Sequence, residues 1–393
     1  NMTVEMDDTD KLKVLLEDAI KMGLSFEAPD VNRGVSRFEP ISDNVIRYGL
    51  SAVKGSGQQA IEAIVAAREG RGAGPMGDVV GPFKSLFDFC ARVDRTRINK
   101  RTVEALIKAG AFDTVQLNRA SLLASVDLAF DFGAAALANA NQCSLFDMGG
   151  GDEIGSSTQE PELVQATPWG VKERLTFEKT AVGFYLSGHL FDEVVQEVRR
   201  FARRPIADLI DTREPQLLAG IITDFRVING QRGKLALFKL DDKSGVLEAR
   251  ADEALINAHK NLLKDDELII LMGQLKPDRF SGGMQLTVTQ VWDLEQARCR
   301  FGKYLKVTLA TSTGRTPDVA RLLKDYPAQR EDTEQGELWR GLGVRLALSC
   351  RGDDLAATAE LQLDERARFY PSNAALSSWW AQAAPGTVDI IYE

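Results

Sequence analysis

The stretch YGLSAVKGSGQQAIEAIVAA, Tyr48–Ala67, decides how the first third of the chain reads. An apolar residue leads into Val53-Lys54-Gly55-Ser56-Gly57, and Ala60, Ile61, Ile64 and Val65 then recur at helical spacing. This is a helix-hairpin-helix pattern. Two glycines permit a tight turn, which leaves the first amide N–H groups of the following helix facing outward. Those donors, with the positive end of the helix dipole, can hold a phosphate without reading base sequence. Lys54 adds a charge. The same residues also suit a plain helical hairpin whose glycines serve only the turn.

Downstream, ALIKAGAFD at Ala105–Asp113 repeats the pattern in a looser form. Between Lys84 and Lys108 there are seven bases and three acids, inside a chain whose net charge is −9. The whole-chain charge is not the footprint of a nucleic-acid binder, but this local excess is. Lys54, Gly55, Ser56, Gly57, Lys100 and Arg101 are therefore the candidate duplex-DNA contacts.

Length and composition bound the rest. At 393 residues and 43.2 kDa, the chain suits roughly two to four domains. Hydrophobic residues are 44% and charged residues 27%, as in an ordinary globular protein. No run approaches the ~18 uncharged apolar residues of a membrane span. The four cysteines, Cys90, Cys143, Cys299 and Cys350, stand far apart, which excludes a CxxC motif and points to a reducing compartment. Only two histidines are present, His189 and His259, so imidazole chemistry is poorly supplied. The start at Asn1-Met2 reads as the middle of a protein, and the expectation is a piece of a longer chain.

Periodicity predicts helices over Lys11–Met22 (Leu12, Leu15, Leu16 and Ile20 on one side, Asp10 as N-cap), Gln58–Arg68, Lys84–Ala91, Lys100–Ala109 and Arg119–Asn139. Residues 147–165 carry five acids, no base and three consecutive glycines, and read as a flexible linker. A helical block follows over Lys172–Ile210. Strands are then predicted at Leu218–Val227, Lys234–Asp241, Val246–Ala251, Leu268–Lys276 and Gln285–Trp292, with a helix at Glu253–Leu263. Three strands, a helix and two strands is the order of an OB fold. Single-strand contacts there would come from Phe225, Arg226, Arg232, Lys234, Phe238, Arg279 and Phe280. Residues 215–290 hold ten bases and ten acids, so protein contacts or a spacer role also suit this domain, and Phe238 also suits a core position. The last part reads strand, helix, strand, strand, helix, strand.

Gln142-Cys143-Ser144-Leu145-Phe146 has the form of a sliding-clamp-binding peptide: an amide for orientation, then two adjacent apolar side chains for a pocket. The candidate contacts are Gln142, Ser144, Leu145 and Phe146. The other reading is a helix-end anchor folding back on its own domain.

Together with TDKLKVLLEDAIKMGL (Thr9–Leu24), IRYGLSAVKGSG (Ile46–Gly57), NKRTVEALIKAGAFD (Asn99–Asp113) and EKTAVGFYLSGH (Glu178–His189), these segments resemble the C-terminal part of the alpha subunits of bacterial DNA polymerase III, the replicative C-family polymerases. The resemblance implies a multidomain α + β chain. Residues 1–137 would be the end of the fingers with the helix-hairpin-helix element, and 138–165 the clamp-binding motif and acidic linker. Residues 166–212 would be a helical connector and 213–298 a five-stranded OB barrel. Residues 299–393 would be a small ferredoxin-like βαββαβ domain that binds the clamp-loader tau subunit. Two positions depart from the family: Leu190 stands where Pro usually follows the Gly-His pair, and Cys143 where Leu is frequent.

The implied partners are duplex and single-stranded DNA, the sliding clamp (beta), tau and other replisome subunits, with no membrane, in the cytoplasm. The intact protein would be a DNA-directed DNA polymerase using magnesium. This part lacks the palm, so neither a catalytic residue nor a metal or cofactor site is expected in it, and it should be inactive alone. The paired acids Asp241-Asp242, Asp265-Asp266 and Asp353-Asp354 are read as solvated structural acids. His189, His259, Trp169, Trp379 and Trp380 are read as packing, capping or surface residues. Two alternatives stay open: an error-prone C-family paralogue, which would not need tau, and a non-enzymatic single-strand-binding accessory protein built on the OB core.

Overall fold

The computed structural model describes residues 2–6, 8–74, 76, 78–146, 159–210, 214–230, 233–277, 283–310, 317–333, 336–351, 356–364, 366–383 and 385–392. It divides into two compact units, Asn1–His189 and Leu190–Glu393. No helix among the described residues is long and apolar enough to cross a membrane.

The first unit opens with α1, Thr9–Lys21. Asp8, not Asp10, caps it by accepting from the Lys11 amide at 3.2 Å. Leu12 and Leu16 enter the core, but Ile20, expected on that face, is 53% exposed. The strands β1 (Ser25–Glu27), β2 (Glu39–Ser42) and β3 (Val45–Arg47) form a small sheet with β3 central. A 3-10 turn at Leu50–Ala52 leads into α2, Gln58–Arg68. Then come α3 (Leu86–Arg92), α4 (Lys100–Lys108), α5 (Arg119–Ala124), α6 (Val126–Phe146) and α7 (Val171–Val182). The single helix expected over Arg119–Asn139 is two, broken at Ser125. Its hydroxyl donates to the Ser121 carbonyl and accepts from the Val164 amide at 2.9 Å.

That contact also revises the linker. Residues 147–158 lie outside the described residues, but Leu163 packs on the first core and the Ala166 amide donates to Ser121 Oγ. Nor is 166–212 one connector. Ala181, Val182 and Phe184 belong to the first core, beside Tyr48, Leu50, Ile61, Ile64, Leu106 and Phe112, while Leu190 onward belongs to the second unit. Apolar spacing marks helices but not which core they join.

In the second unit, α8 (Val195–Val198) lies between two 3-10 turns. The strands β4 (Gln216–Gly230), β5 (Gly233–Asp241) and β6 (Val246–Asp252) lead to α9 (Glu253–Ala258), then β7 (Leu268–Pro277) and β8 (Met284–Trp292). These five close a barrel in the order β4-β5-β6-β8-β7, with β6 and β8 parallel. Three strands, a helix and two strands closed this way make an OB fold. Alternation along β5 buries Ala236, Phe238 and Leu240 while leaving the intervening side chains half-buried.

A capping box at Asp293 and Gln296 starts α10 (Leu294–Phe301), which the sequence pattern did not announce. The chain continues through β9 (Gly302–Ala310), α11 (Val319–Asp325), the hairpin β10 (Gln329–Thr333) and β11 (Gly336–Arg340), β12 (Leu342–Arg351), β13 (Ala356–Gln362), β14 (Arg368–Phe369), α12 (Asn373–Ala383) and β15 (Thr387–Tyr392). The α + β class and the βαββαβ order are present, with one added hairpin. The ferredoxin-like detail differs. In a split βαβ unit another strand separates the parallel pair. Here β9 and β12 bond directly, in the sheet order β13-β12-β9-β15. Trp379 is fully buried in this core, and Trp380 is 48% exposed.

Candidate nucleic-acid interface

The turn before α2 has the backbone its glycines require. Gly55 sits at φ +80° and Gly57 at φ +69°, and a Cβ at either would meet nothing within 4 Å. Conformation demands glycine here, and the space around the turn is open. Gly57 is the N-cap and supplies no side-chain acceptor. The first amides of α2 therefore keep their donors for an external acceptor. Two concavities flank the turn and share Gly55, Gly57 and Gln58. One, about 590 Å³, runs past Arg37 and Lys54, and the other, about 650 Å³, past Arg97 and Asn99.

Ser56 has a different role from its neighbours. It is buried, and its hydroxyl donates to the carbonyls of Val53 at 2.8 Å and Leu50 at 3.1 Å. Only its backbone could face a ligand. Thr102 Oγ1 donates to the Gly55 carbonyl at 3.3 Å and so braces the turn from α4. The sequence pattern did not single out Thr102, because its contact spans 47 residues.

The basic excess between Lys84 and Lys108 is smaller at the surface than in the count. Arg92 is 1% exposed and spends its guanidinium on the carbonyls of Ala67, Val79, Gly81 and Pro82 and on Asp88. Lys100 pairs with Asp127 of α6, and that hydrogen bond raises its pKa. Lys54 and Arg101 are exposed. The helix α4 is also self-capped, since Asn99 accepts from the Thr102 amide.

The looser hairpin at Ala105–Asp113 is closed. Gly110 has φ +84°, but a Cβ there would strike the Arg119 guanidinium. Arg119 in turn pairs with Asp113 at 2.6 Å and with the fully buried Glu178 at 3.5 Å. Burial alone would lower the Arg119 pKa; Asp113 and Glu178 outweigh it and hold it above its ordinary value. Glu178 also accepts from the Leu186 and Ser187 amides at 2.7 and 2.8 Å, which explains the EKTAVGFYLSGH stretch as structure.

On the barrel, Phe238 is 3% exposed and belongs to the core, at the floor of a small groove. Phe225 packs half-buried on that core. Arg226 is exposed and lines a groove of about 280 Å³ with Asp224, Leu237, Lys239, Glu248 and Gln285. The Lys234 side chain is exposed. Arg232, Arg279 and Phe280 lie outside the described residues. The backbone of Gln142–Phe146 closes α6, but the side chains of this clamp-type peptide lie outside the description.

Of the paired acids, Asp241, Asp242 and Asp265 make structural contacts. Asp242 is 3% exposed, not solvated, and accepts from the Ile206 and Ser244 amides while holding Arg199. Asp265 accepts from the Phe225 amide. Asp353-Asp354 lie outside the described residues. No group of His, Cys, Asp and Glu able to hold a metal occurs among the described residues.

A family model described as a helix-hairpin-helix motif matches residues 23–122, the segment that carries both hairpins. DNA polymerase III subunit alpha of Neisseria meningitidis serogroup B is 39% identical over 311 residues, covering 79% of this chain and 26% of that protein. The subunit of Pseudomonas aeruginosa is 40% identical (78% and 27%), and that of Escherichia coli K12 33% identical (78% and 26%). The chain is a homologue of part of DNA polymerase III subunit alpha. It spans about a quarter of the length of these relatives. Among solved structures it is similar to the second OB-fold domain of replication protein A from Methanococcus maripaludis. That likeness has 15% identity and a TM-score of 0.19, over 23% of this chain and 94% of that one. The barrel's own strand order, rather than this likeness, defines its fold.

Proposed function

We propose that this chain is the DNA- and partner-binding part of a replicative C-family DNA polymerase. The observation that carries the reading is the open, glycine-turned N-terminus of α2 between two grooves, in a segment homologous to polymerase III alpha subunits. Unspent amides at a helix N-terminus, with Lys54 beside them, hold a duplex by its backbone and allow the polymerase to move along any sequence. The peptide Gln142–Phe146 would bind the sliding clamp, the barrel the single-stranded template, and residues 299–393 the clamp-loader tau subunit. Linked weak contacts raise effective concentration without one tight site. The intact protein would transfer nucleotides with magnesium in the cytoplasm, whereas this part alone would be inactive.

The test uses the purified 393-residue chain. It should bind duplex DNA with steep salt dependence and bind the clamp, without extending a primer. Leu145→Ala with Phe146→Ala should abolish clamp binding while duplex binding persists. Clamp affinity unchanged by that pair would remove the clamp assignment, and salt-insensitive duplex binding would remove the backbone-phosphate role.

A further inference from the structure

Arg37 lies outside the helix-hairpin-helix pattern, yet the fold sets it beside the turn. Its neighbours on both sides are tied to the hairpin. The Val35 and Ser36 carbonyls accept from the Leu50 and Ser51 amides at 3.0 and 3.1 Å, and the Ser36 and Ser51 hydroxyls meet at 2.8 Å. Phe38 packs edge-on against the buried Tyr48, with ring centroids 4.8 Å apart. Gly49 lets the two segments touch: a Cβ there would lie 2.7 Å from the Arg37 carbonyl carbon and 2.8 Å from the Ser36 carbonyl oxygen. The exposed Arg37 side chain is thereby placed at the wall of the groove of about 590 Å³ that also holds Lys54. Among the described residues, neither side chain has a hydrogen-bond or ion-pair partner, and none of the residues lining this groove is acidic.

The groove on the other side of the turn differs. The cation that lines it, Arg97, faces Asp94 at 3.7 Å, and its wall includes Glu62, which accepts from Gln58 at 2.9 Å. A phosphate entering there would meet a carboxylate. Beside Arg37 and Lys54 it would meet two cations. We propose that Arg37 is a second cation for the duplex backbone, and that the backbone passes through the groove of Arg37 and Lys54 and not through the groove of Arg97. A guanidinium offers a forked pair of donors that matches two phosphate oxygens, and Lys54 adds a point charge. This rests on the reading of the turn before α2 as a duplex site and says on which side of that turn the strand lies.

The experiment is fluorescence anisotropy of the full 393-residue chain with a labelled blunt hairpin duplex, across a salt series. Arg37→Ala should reduce the salt slope by about 0.9, one phosphate contact, and weaken binding roughly eightfold at about 0.1 M salt. Arg37→Lys keeps the charge and should retain the slope. Arg97→Ala should leave slope and affinity unchanged. Arg37 is exposed, so the thermal midpoint should not move in either Arg37 variant. An unchanged slope in Arg37→Ala, with wild-type binding still steep in salt, overturns the proposal but leaves the duplex reading standing. A loss confined to Arg97→Ala does the same. A loss in Arg37→Lys as large as in Arg37→Ala would mean that the side chain shapes the groove instead of meeting a phosphate, and it also overturns the proposal. Failure of the wild-type chain to bind the duplex overturns the duplex reading and the proposal together.

Discussion

Thr102 donates its hydroxyl to the carbonyl of Gly55 at 3.3 Å, so the first turn of α4 holds the turn that opens α2. Thr102 is 2% exposed, and its loss would leave the Gly55 carbonyl to a poorer partner. Thr102→Val keeps the shape and removes the donor. It should cost about 1 kcal/mol, read as a shift in the urea midpoint at constant slope.

Gly57 has φ +69° and ψ 137°, a region closed to residues with a Cβ. Since a Cβ would meet nothing within 4 Å, the cost of Gly57→Ala is conformational, not steric. The variant should lose about 1–3 kcal/mol in denaturant titration. Its duplex affinity should fall as well, because the α2 amides would be re-aimed.

The two lysines of the candidate interface should behave differently. Lys54→Ala should reduce the salt slope of duplex binding by about 0.9, the value for one phosphate contact. Lys100 is already held by Asp127, so Lys100→Ala should change the slope much less. Equal effects in the same titration would mean that Lys100 leaves Asp127 when DNA binds.

Glu178 is fully buried and carries Arg119 together with two backbone amides. Its removal leaves Arg119 to ion-pair with Asp113 alone and takes the acceptor from the Leu186 and Ser187 amides. Glu178→Ala should cost about 3–5 kcal/mol in chemical unfolding. Arg101→Ala, on an exposed residue of the same unit, should stay within about 0.5 kcal/mol.

Glu197 receives Arg298 through two bonds of 2.7 and 2.8 Å and the Tyr392 hydroxyl at 2.6 Å. Burial alone would raise its pKa, but Arg298 and then Tyr392 outweigh it and hold the carboxyl below its ordinary value. A depressed folded pKa stabilises fully above the unfolded value and is lost as pH falls through the folded one. Stability should therefore drop on acidification below the ordinary glutamate range. Glu197→Gln should be less stable at neutral pH and flatter below it, as read from denaturation midpoints between pH 3 and 7.

Local pattern carried much of this protein. The Lys54–Gly57 turn, helix α2 and the five barrel strands are written in nearest-neighbour chemistry: glycine where φ is positive, apolar residues at period 3.6 or 2. Homology to polymerase III alpha subunits was legible in the same stretches. What the sequence left open depends on contacts between distant residues. It could not show that Arg92 is buried under four carbonyls, that Asp127 takes Lys100, or that Arg119 closes the second hairpin at Gly110. The split of 166–212 between two cores and the direct pairing of β9 with β12 are of the same kind. A count of charges along a chain is blind to burial and pairing. Only the tertiary structure decides which of these cations face solvent, and so which of them can meet a phosphate.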